Sequence, residues 1–348
     1  MRTVSIGGRK VGGDAPCLIV AEISCNHLQK KEYALRLIDE AKKAGADAVK
    51  FQTYTPDTIT MKSDNEYFRI KGTLWAGKTL YDLYQEAYTP WDWFPELKKR
   101  AEKQGLVFFS SPFDESAVDF LEKLGVPAYK IASFEINHIP LLKYVAAKKK
   151  PVIISSGVAT LEDLELAVKT IRGQGNDEII ILKCTSAYPA PPNEMNLRTI
   201  PDIAERFGVV AGLSDHSTGI AAPAAAVALG AKLIEKHITL DRKLGGPDAE
   251  FSLEPAEFAA MVTAVRETEQ ALGKVTYEAG KKTKEHLFAM RSIFVTEDIP
   301  KGEALTRNNV RVIRPGYGLH PKHYEEVLGR KAKKALKKGT PLGLDMIE

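Results

Sequence analysis

Eight short runs of apolar and β-branched residues recur through the first ~240 positions, with segments of helical period lying between them. They read CLIVAEI from Cys17, AVKFQTY from Ala48, LVFFSSP from Leu106, AYKIASF from Ala128, PVIISSG from Pro151, IIILKCTS from Ile179, VVAGLSD from Val209 and LIEKHIT from Leu233. Near-continuous apolarity marks strands covered on both faces, the condition of a parallel sheet. Among the intervening segments, KKEYALRLIDEAKKAG gathers Ala34, Leu35, Leu37, Ile38 and Ala41 on one face and closes at Gly45. Strand and helix alternating eight times predict an α/β fold, a closed (β/α)8 TIM barrel. An open doubly wound sheet is disfavoured, because the turn after the first strand reads AEISCNH and lacks a glycine-rich dinucleotide loop.

The barrel is expected to span 1–273. A polar linker over 274–290, KVTYEAGKKTKEHLFAM, interrupts the periodicity. The remaining residues, 291–348, carry short apolar runs broken by Pro-Lys-Gly-Glu and Lys-Gly-Thr-Pro turns, a small β-rich domain whose own core is marginal. Within the barrel, the connection from about Thr55 to Pro90 far exceeds the usual few residues. It holds FRIKGTLWAGKTLYDLYQEAYTP, and reads either as a lid over the barrel mouth or as a packing excursion with its own short helix.

Composition excludes several classes. No uncharged apolar run is long enough for a membrane span, and the first residues lack the apolar core of a secretion signal. Cys17, Cys25 and Cys184 are dispersed, without zinc-type pairing, so reduced thiols in the cytoplasm are expected. A net charge of +4 is too mild for nucleic acid and suits a small anionic substrate.

Active groups of such barrels sit where strands end and loops begin. Here those positions are polar on every strand: Glu22, Asn26 and His27; Lys50 and Gln52; Ser110 and Ser111; Lys130 and Ser133; Ser155 and Ser156; Thr185, Ser186 and Tyr188; Ser214, Asp215 and His216; Glu235, Lys236 and His237. Strand alternation puts Ser214 and His216 on the mouth side and turns Asp215 away; Glu235 and His237 likewise share a face, with Lys236 outward. Two imidazoles on adjacent strand ends are either a catalytic divalent-metal pair with open positions or two hydrogen-bonding histidines. The hydroxyls, with Lys50 and Lys130, form a ring of donors suited to phosphate. Strand lysines Lys50, Lys130 and Lys183 also admit a Schiff-base aldolase. Outside enzymology, the tail admits a sugar- or ice-binding module.

Eight motifs in order, AEISCNH, VKFQTY, SSPFD, YKIAS, KCTSAYPAPP, GLSDHSTG, EKHITLDRKLGGPDAEFSLEP and RSIFVTEDIPKGE, resemble the synthases of nonulosonic acids, comprising neuraminic, legionaminic and pseudaminic acid synthases. The resemblance covers essentially the whole chain and implies a barrel followed by an antifreeze-like (SAF) domain. It implies a transferase that condenses phosphoenolpyruvate with an N-acetylated amino sugar, releasing phosphate by C–O cleavage. It implies His216 and His237 as ligands of a divalent ion, manganese before magnesium or cobalt. Lys50, Ser111, Lys130, Ser133, Ser155, Ser186 and Ser214 would hold phosphoenolpyruvate. Glu22, Gln52, Tyr188 and Asp248 would meet the sugar, Glu22 as a general base or as a binding group. Arg314, in the tail's IRPG, would bind the acetamido group from the partner subunit of a domain-swapped homodimer. Within the family, the 55–90 loop and NLRTIPDIAERFG look most like the branch whose acceptor is 2,4-diacetamido-2,4,6-trideoxy-L-altrose.

Overall fold

A computed structural model describes residues 2–348. The chain divides into two compact units between Gly273 and Lys274. In the first, eight parallel strands close in the order β10-β3-β4-β5-β6-β7-β8-β9. They are β3 (Leu18–Glu22), β4 (Ala48–Thr53), β5 (Val107–Pro112), β6 (Tyr129–Ile131), β7 (Val152–Ser155), β8 (Ile179–Cys184), β9 (Val210–Asp215) and β10 (Leu233–His237). An antiparallel hairpin, β1 (Thr3–Ile6) and β2 (Arg9–Gly12), precedes them. Its four-residue strands carry little periodic signal in the sequence.

The strands sort their side chains by alternation. Inward positions near the strand starts, among them Leu18, Val20, Ala48, Phe109, Ile153, Ile180, Leu182 and Leu233, form one apolar cluster with Val4, Ile6 and Val11 of the hairpin. The hairpin therefore closes the N-terminal end of the barrel. Further along the same inward series come Glu22, Lys50, Lys130, Ser155, Ser214, Glu235 and His237, all buried. Outward positions such as Ile19, Val49, Ile154, Ile181, Ala211 and Ile234 pack against the helices in a second cluster.

Local sequence accounts for the helices. α1 (Lys31–Lys43) buries Ala34, Leu37, Ile38 and Ala41. Leu35 is only half-buried, and the cap is Ala44 in a right-handed conformation; Gly45 follows with φ +90°, where a glycine is required. Within the long connection lie α2 (Pro56–Ile59) and α3 (Leu80–Ala87), the latter capped by the Thr79 hydroxyl. Then follow α4 (Phe94–Lys103), α5 (Glu115–Leu124), α6 (Ile139–Ala147), α7 (Leu161–Gly173), α8 (Thr199–Phe207), α9 (Ala221–Ala228) and α10 (Pro255–Leu272). Among the described residues, no helix is long and apolar enough to cross a membrane.

The second unit begins with the short helix α11 (Lys281–Lys284) inside the expected linker, where Val275 and Tyr277 are fully exposed. Strands β11 (Ser292–Val295) and β12 (Val310–Ile313) pair antiparallel, and isolated bridges such as Phe294 to Pro341 and Ile299 to Leu336 tie in the rest. Its core gathers Ile293, Val295, Ile299, Leu305, Val310, Leu336 and Leu342.

Candidate active site

Where the inward series turns polar, a cavity of about 180 Å³ opens at the C-terminal ends of the strands. Two lysines and two glutamates form its floor. Lys50 Nζ stands 2.9 Å from Glu22 Oε2, 3.7 Å from Glu235 Oε1 and 3.3 Å from the Ser111 hydroxyl. Lys130 Nζ lies 3.9 Å from the same Glu235 oxygen and donates to the Ile131 carbonyl at 2.9 Å. Ser214 donates to Glu235 at 3.2 Å. Burial opposes ionisation of both carboxyls, but their neighbours separate them. Burial raises Glu22 despite Lys50 and Gln52, whereas Lys130 and Lys50 outweigh burial and lower Glu235. Burial lowers Lys130, and the two glutamates raise Lys50 against the same burial. An anion arriving here meets cations whose compensating charges are already in place.

One wall is built of hydroxyls. Ser133 and Ser186 share a hydrogen bond of 2.8 Å, and the buried Ser155 hydroxyl has no protein partner. A Cβ at Gly157 would stand 2.0 Å from the Ser186 hydroxyl and 2.5 Å from Ser133 Cβ, so only glycine leaves this cradle open.

Opposite lies the histidine pair, ring centroids 5.3 Å apart. His216 Nδ1 meets the Thr185 carbonyl at 3.1 Å, which selects the tautomer protonated there and frees Nε2 as a donor atom. His237 Nδ1 is buried without a hydrogen-bond partner, with Asp248 Oδ2 3.6 Å away. Burial, reinforced by His216 and Lys50, pushes His237 well below the ordinary histidine range and keeps it neutral, the form that binds metal. Phe251 sits edge-on to both rings. The donor set thus fits a divalent ion held by two imidazoles. Among the described residues no third His, Cys, Asp or Glu completes a cluster, so substrate or water would fill the remaining positions.

Glu22, Lys50, Gln52, Lys130, Ser133, Ser155, Tyr188, Ser214, His216, His237 and Asp248 all line the cavity. Ser111 and Ser186 do not: the first accepts from Lys50 and the second braces Ser133, so each supports a lining residue. Arg314 belongs to the second unit, after β12. Gln52 donates to Glu22 and to Ser24, both at 2.9 Å, and Ser24 donates to Asp248 at 2.6 Å. Lys183 donates to the Cys184 carbonyl and stays outside the cavity.

Two lining groups escaped sequence reasoning. Glu235 stood among the strand-end polar residues without a role, and its position between two lysines is visible only once the barrel closes. Glu135 follows β6, two residues beyond Ser133. Burial raises its carboxyl to about 7 against the opposing charge of Lys130, and its Oε2 is unpartnered. Its sequence signal, a lone carboxylate just past an expected strand end, is weak.

The 55–90 connection supplies the remaining wall through Ile59, Trp75, Leu83, Tyr84 and Ala87. The Trp75 indole N–H donates to the Pro247 carbonyl at 2.9 Å, and its ring lies 5.5 Å from that of Tyr188. Both sequence readings hold in part: the segment carries its own helices and also covers the site. Of its aromatics, Trp75 reaches the cavity while Phe68 and Tyr81 do not.

An eight-stranded barrel whose mouth gathers buried lysines, hydroxyls and a histidine pair is an enzyme of the (β/α)8 class. Residues 37–277 match the NeuB family and residues 290–348 the SAF domain, and the chain belongs to the NeuB family. The family match spans the barrel rather than the tail alone, which removes the sugar- or ice-binding module. The chain is 46% identical over 329 residues to a pseudaminic acid synthase of Campylobacter jejuni, covering 94% of this chain and 96% of that one. It is 47% identical over 334 residues to the pseudaminic acid synthase of Helicobacter pylori, covering 96% and 98%. A crystal structure of N-acetylneuraminic acid synthetase from Leptospira borgpetersenii, in complex with citrate, superposes with a TM-score of 0.73 at 35% identity, covering 82% of this chain and 95% of that one.

Proposed function

We propose that this chain is a synthase joining phosphoenolpyruvate to 2,4-diacetamido-2,4,6-trideoxy-L-altrose, giving pseudaminic acid and phosphate. The observation that carries this reading is its identity with two pseudaminic acid synthases across nearly the whole of each chain. The cavity supports it. Lys50 and Lys130 attract the carboxylate and phosphate of the enol ester, and Ser133, Ser155 and Ser214 supply hydroxyl donors, with Ser111 and Ser186 behind them. C3 of the enol ester attacks the aldehyde carbon of the open-chain sugar. Water then adds at C2, and the C2–O bond breaks with departure of phosphate. A divalent ion at His216 and His237, manganese before magnesium or cobalt, would polarise the sugar carbonyl. Gln52, Tyr188 and Asp248 face the sugar. Glu22, its carboxyl raised by burial beside Lys50, is a general base or a binding group, and Glu135, whose Oε2 is unpartnered and whose carboxyl lies near 7, is a second candidate for proton transfer. The family resemblance further suggests a domain-swapped homodimer in which Arg314 reaches the acetamido oxygen of the partner's substrate. Three unpaired, buried thiols and the use of phosphoenolpyruvate suit a cytoplasmic enzyme.

The direct test incubates the protein with phosphoenolpyruvate and a panel of amino sugars in ¹⁸O-labelled water. Phosphate release is expected with the diacetamido trideoxy sugar, with label in the nonulosonic acid and none in phosphate. Release only with an N-acetylmannosamine or legionaminic-type acceptor would reassign the sugar, and labelled phosphate would exclude C–O cleavage.

The apolar wall carries a prediction about acceptor choice. A 6-deoxy sugar presents a methyl group, which Trp75, Ile59 and Leu83 accommodate better than a hydroxyl. Trp75→Ala is expected to lower the preference for the 6-deoxy acceptor over its 6-hydroxy analogue by about five-fold, the equivalent of about 1 kcal/mol. Equal kcat/KM ratios in the variant and the parent would make the wall purely structural.

A further inference from the structure

Asp215 and Lys236 occupy the outward series of β9 and β10, which otherwise sends Ala211, Leu213 and Ile234 into the helix layer. Both side chains are completely buried, and strand register places them side by side. Lys236 Nζ donates to Asp215 Oδ2 at 2.6 Å and to the Ser217 carbonyl, with the Ser217 hydroxyl 3.4 Å away. Asp215 Oδ1 accepts the Ser217 backbone N–H at 2.9 Å, and Oδ2 accepts the Ser217 hydroxyl at 3.1 Å. The three residues therefore form a closed network on the side of the sheet away from the cavity.

His216 is the residue between Asp215 and Ser217, and His237 is the residue after Lys236. The network thus holds the backbone on both sides of one imidazole and immediately before the other. An apolar pair of similar size would fill this layer without taking two charges out of water, so packing alone does not explain the ions. What apolar residues do not provide is the combination of a turn-closing carboxylate and an ammonium that bonds across two strands.

We propose that Lys236, Asp215 and Ser217 are positioning residues that set the separation and aim of His216 and His237 for a divalent cation. The inference rests on the two-histidine reading given above. Supporting shells of this kind move metal affinity by about 10–100-fold.

The test uses metal-stripped full-length protein titrated calorimetrically with Mn²⁺ alone, and separately with phosphoenolpyruvate alone. The double variant Asp215→Leu/Lys236→Met removes both charges together, which leaves no unpaired ion in the helix layer. It is expected to melt near the wild-type temperature, to bind Mn²⁺ at least about ten-fold more weakly, and to keep its affinity for phosphoenolpyruvate. A folded double variant with wild-type Mn²⁺ affinity overturns the proposal, and so does parallel loss of both ligands, which marks general damage. Should the double variant not fold, Asp215→Asn keeps the shape and the acceptor for Ser217 while weakening the hold on Lys236. Several-fold weaker Mn²⁺ binding is then expected, and unchanged binding overturns the proposal. A wild type that takes up no Mn²⁺ removes the two-histidine reading itself and this inference with it.

Discussion

His237→Ala is expected to lower kcat/KM by about 10³-fold or more, and excess chelator to abolish wild-type turnover reversibly. Loss of several kcal/mol of carbonyl polarisation corresponds to that factor. The expectation comes from an imidazole that is buried, neutral and without a hydrogen-bond partner, facing a second imidazole whose Nδ1 is already engaged by a carbonyl. His216→Ala should match it. Removing either ring leaves the lysine and serine cradle intact, so phosphoenolpyruvate should still bind. Full turnover in chelator would exclude the metal and favour a Schiff base, which borohydride would trap on a strand lysine. The inactive His216→Ala chain also tests the role of Arg314. Co-refolded with Arg314→Ala, which should bind the sugar more weakly, it should give more activity at low sugar concentration than either parent if the second unit serves a partner's barrel. Mixed dimers no more active than the parents would show that the tail does not act in trans.

Glu135→Gln should lower kcat by about 10²–10⁴-fold, the usual contribution of a positioned acid–base group. In the wild type, activity should rise with pH as this carboxyl ionises near 7, and the variant's profile should lose that limb. The same substitution should act oppositely on stability. A carboxyl whose folded-state pKa is raised binds its proton more tightly in the folded chain. Its favourable contribution is therefore complete below the unfolded value near 4.5 and is lost as pH rises through about 7. At pH 8 the ionised group costs the fold about 2 kcal/mol, allowing for its partial exposure. Glu135→Gln should consequently be more stable than the wild type at pH 8, with the advantage vanishing towards pH 4. Denaturant melts at the two pH values measure this. A variant that keeps the rise of activity through pH 7 would assign proton transfer to another residue, with Glu22 the next to examine.

Much of the barrel is legible in the chain because buried parallel strands demand continuous apolar runs, and eight such runs alternate with helical periods. Strand alternation also separates mouth-facing from outward residues, so Ser214, His216, Glu235 and His237 can be placed on one side from spacing alone. The β1–β2 hairpin was not legible, because its four-residue strands become apolar partners only against the inside of a closed barrel. The cap of α1 lies one residue before the glycine that marks it, since the left-handed turn follows the last helical bonds.

The deeper division concerns range. Local order along the chain determined that this protein has a barrel, a polar strand-end rim, a small β-rich tail and two histidines on neighbouring strands, because each is written in spacings of two to four residues or in a contiguous motif. Tertiary structure alone decided which rim residues work together. Glu235 of β10 lies beside Lys50 of β4 and Lys130 of β6 only because the barrel closes. Trp75 meets Tyr188 across more than a hundred residues of chain, and Ser111 and Ser186 move behind the lining only once neighbouring strands are in place. The proton affinities follow the same logic: burial and neighbouring charge, which set Glu135 near 7 and hold His237 neutral, are properties of the enclosed space and not of either residue's sequence neighbours.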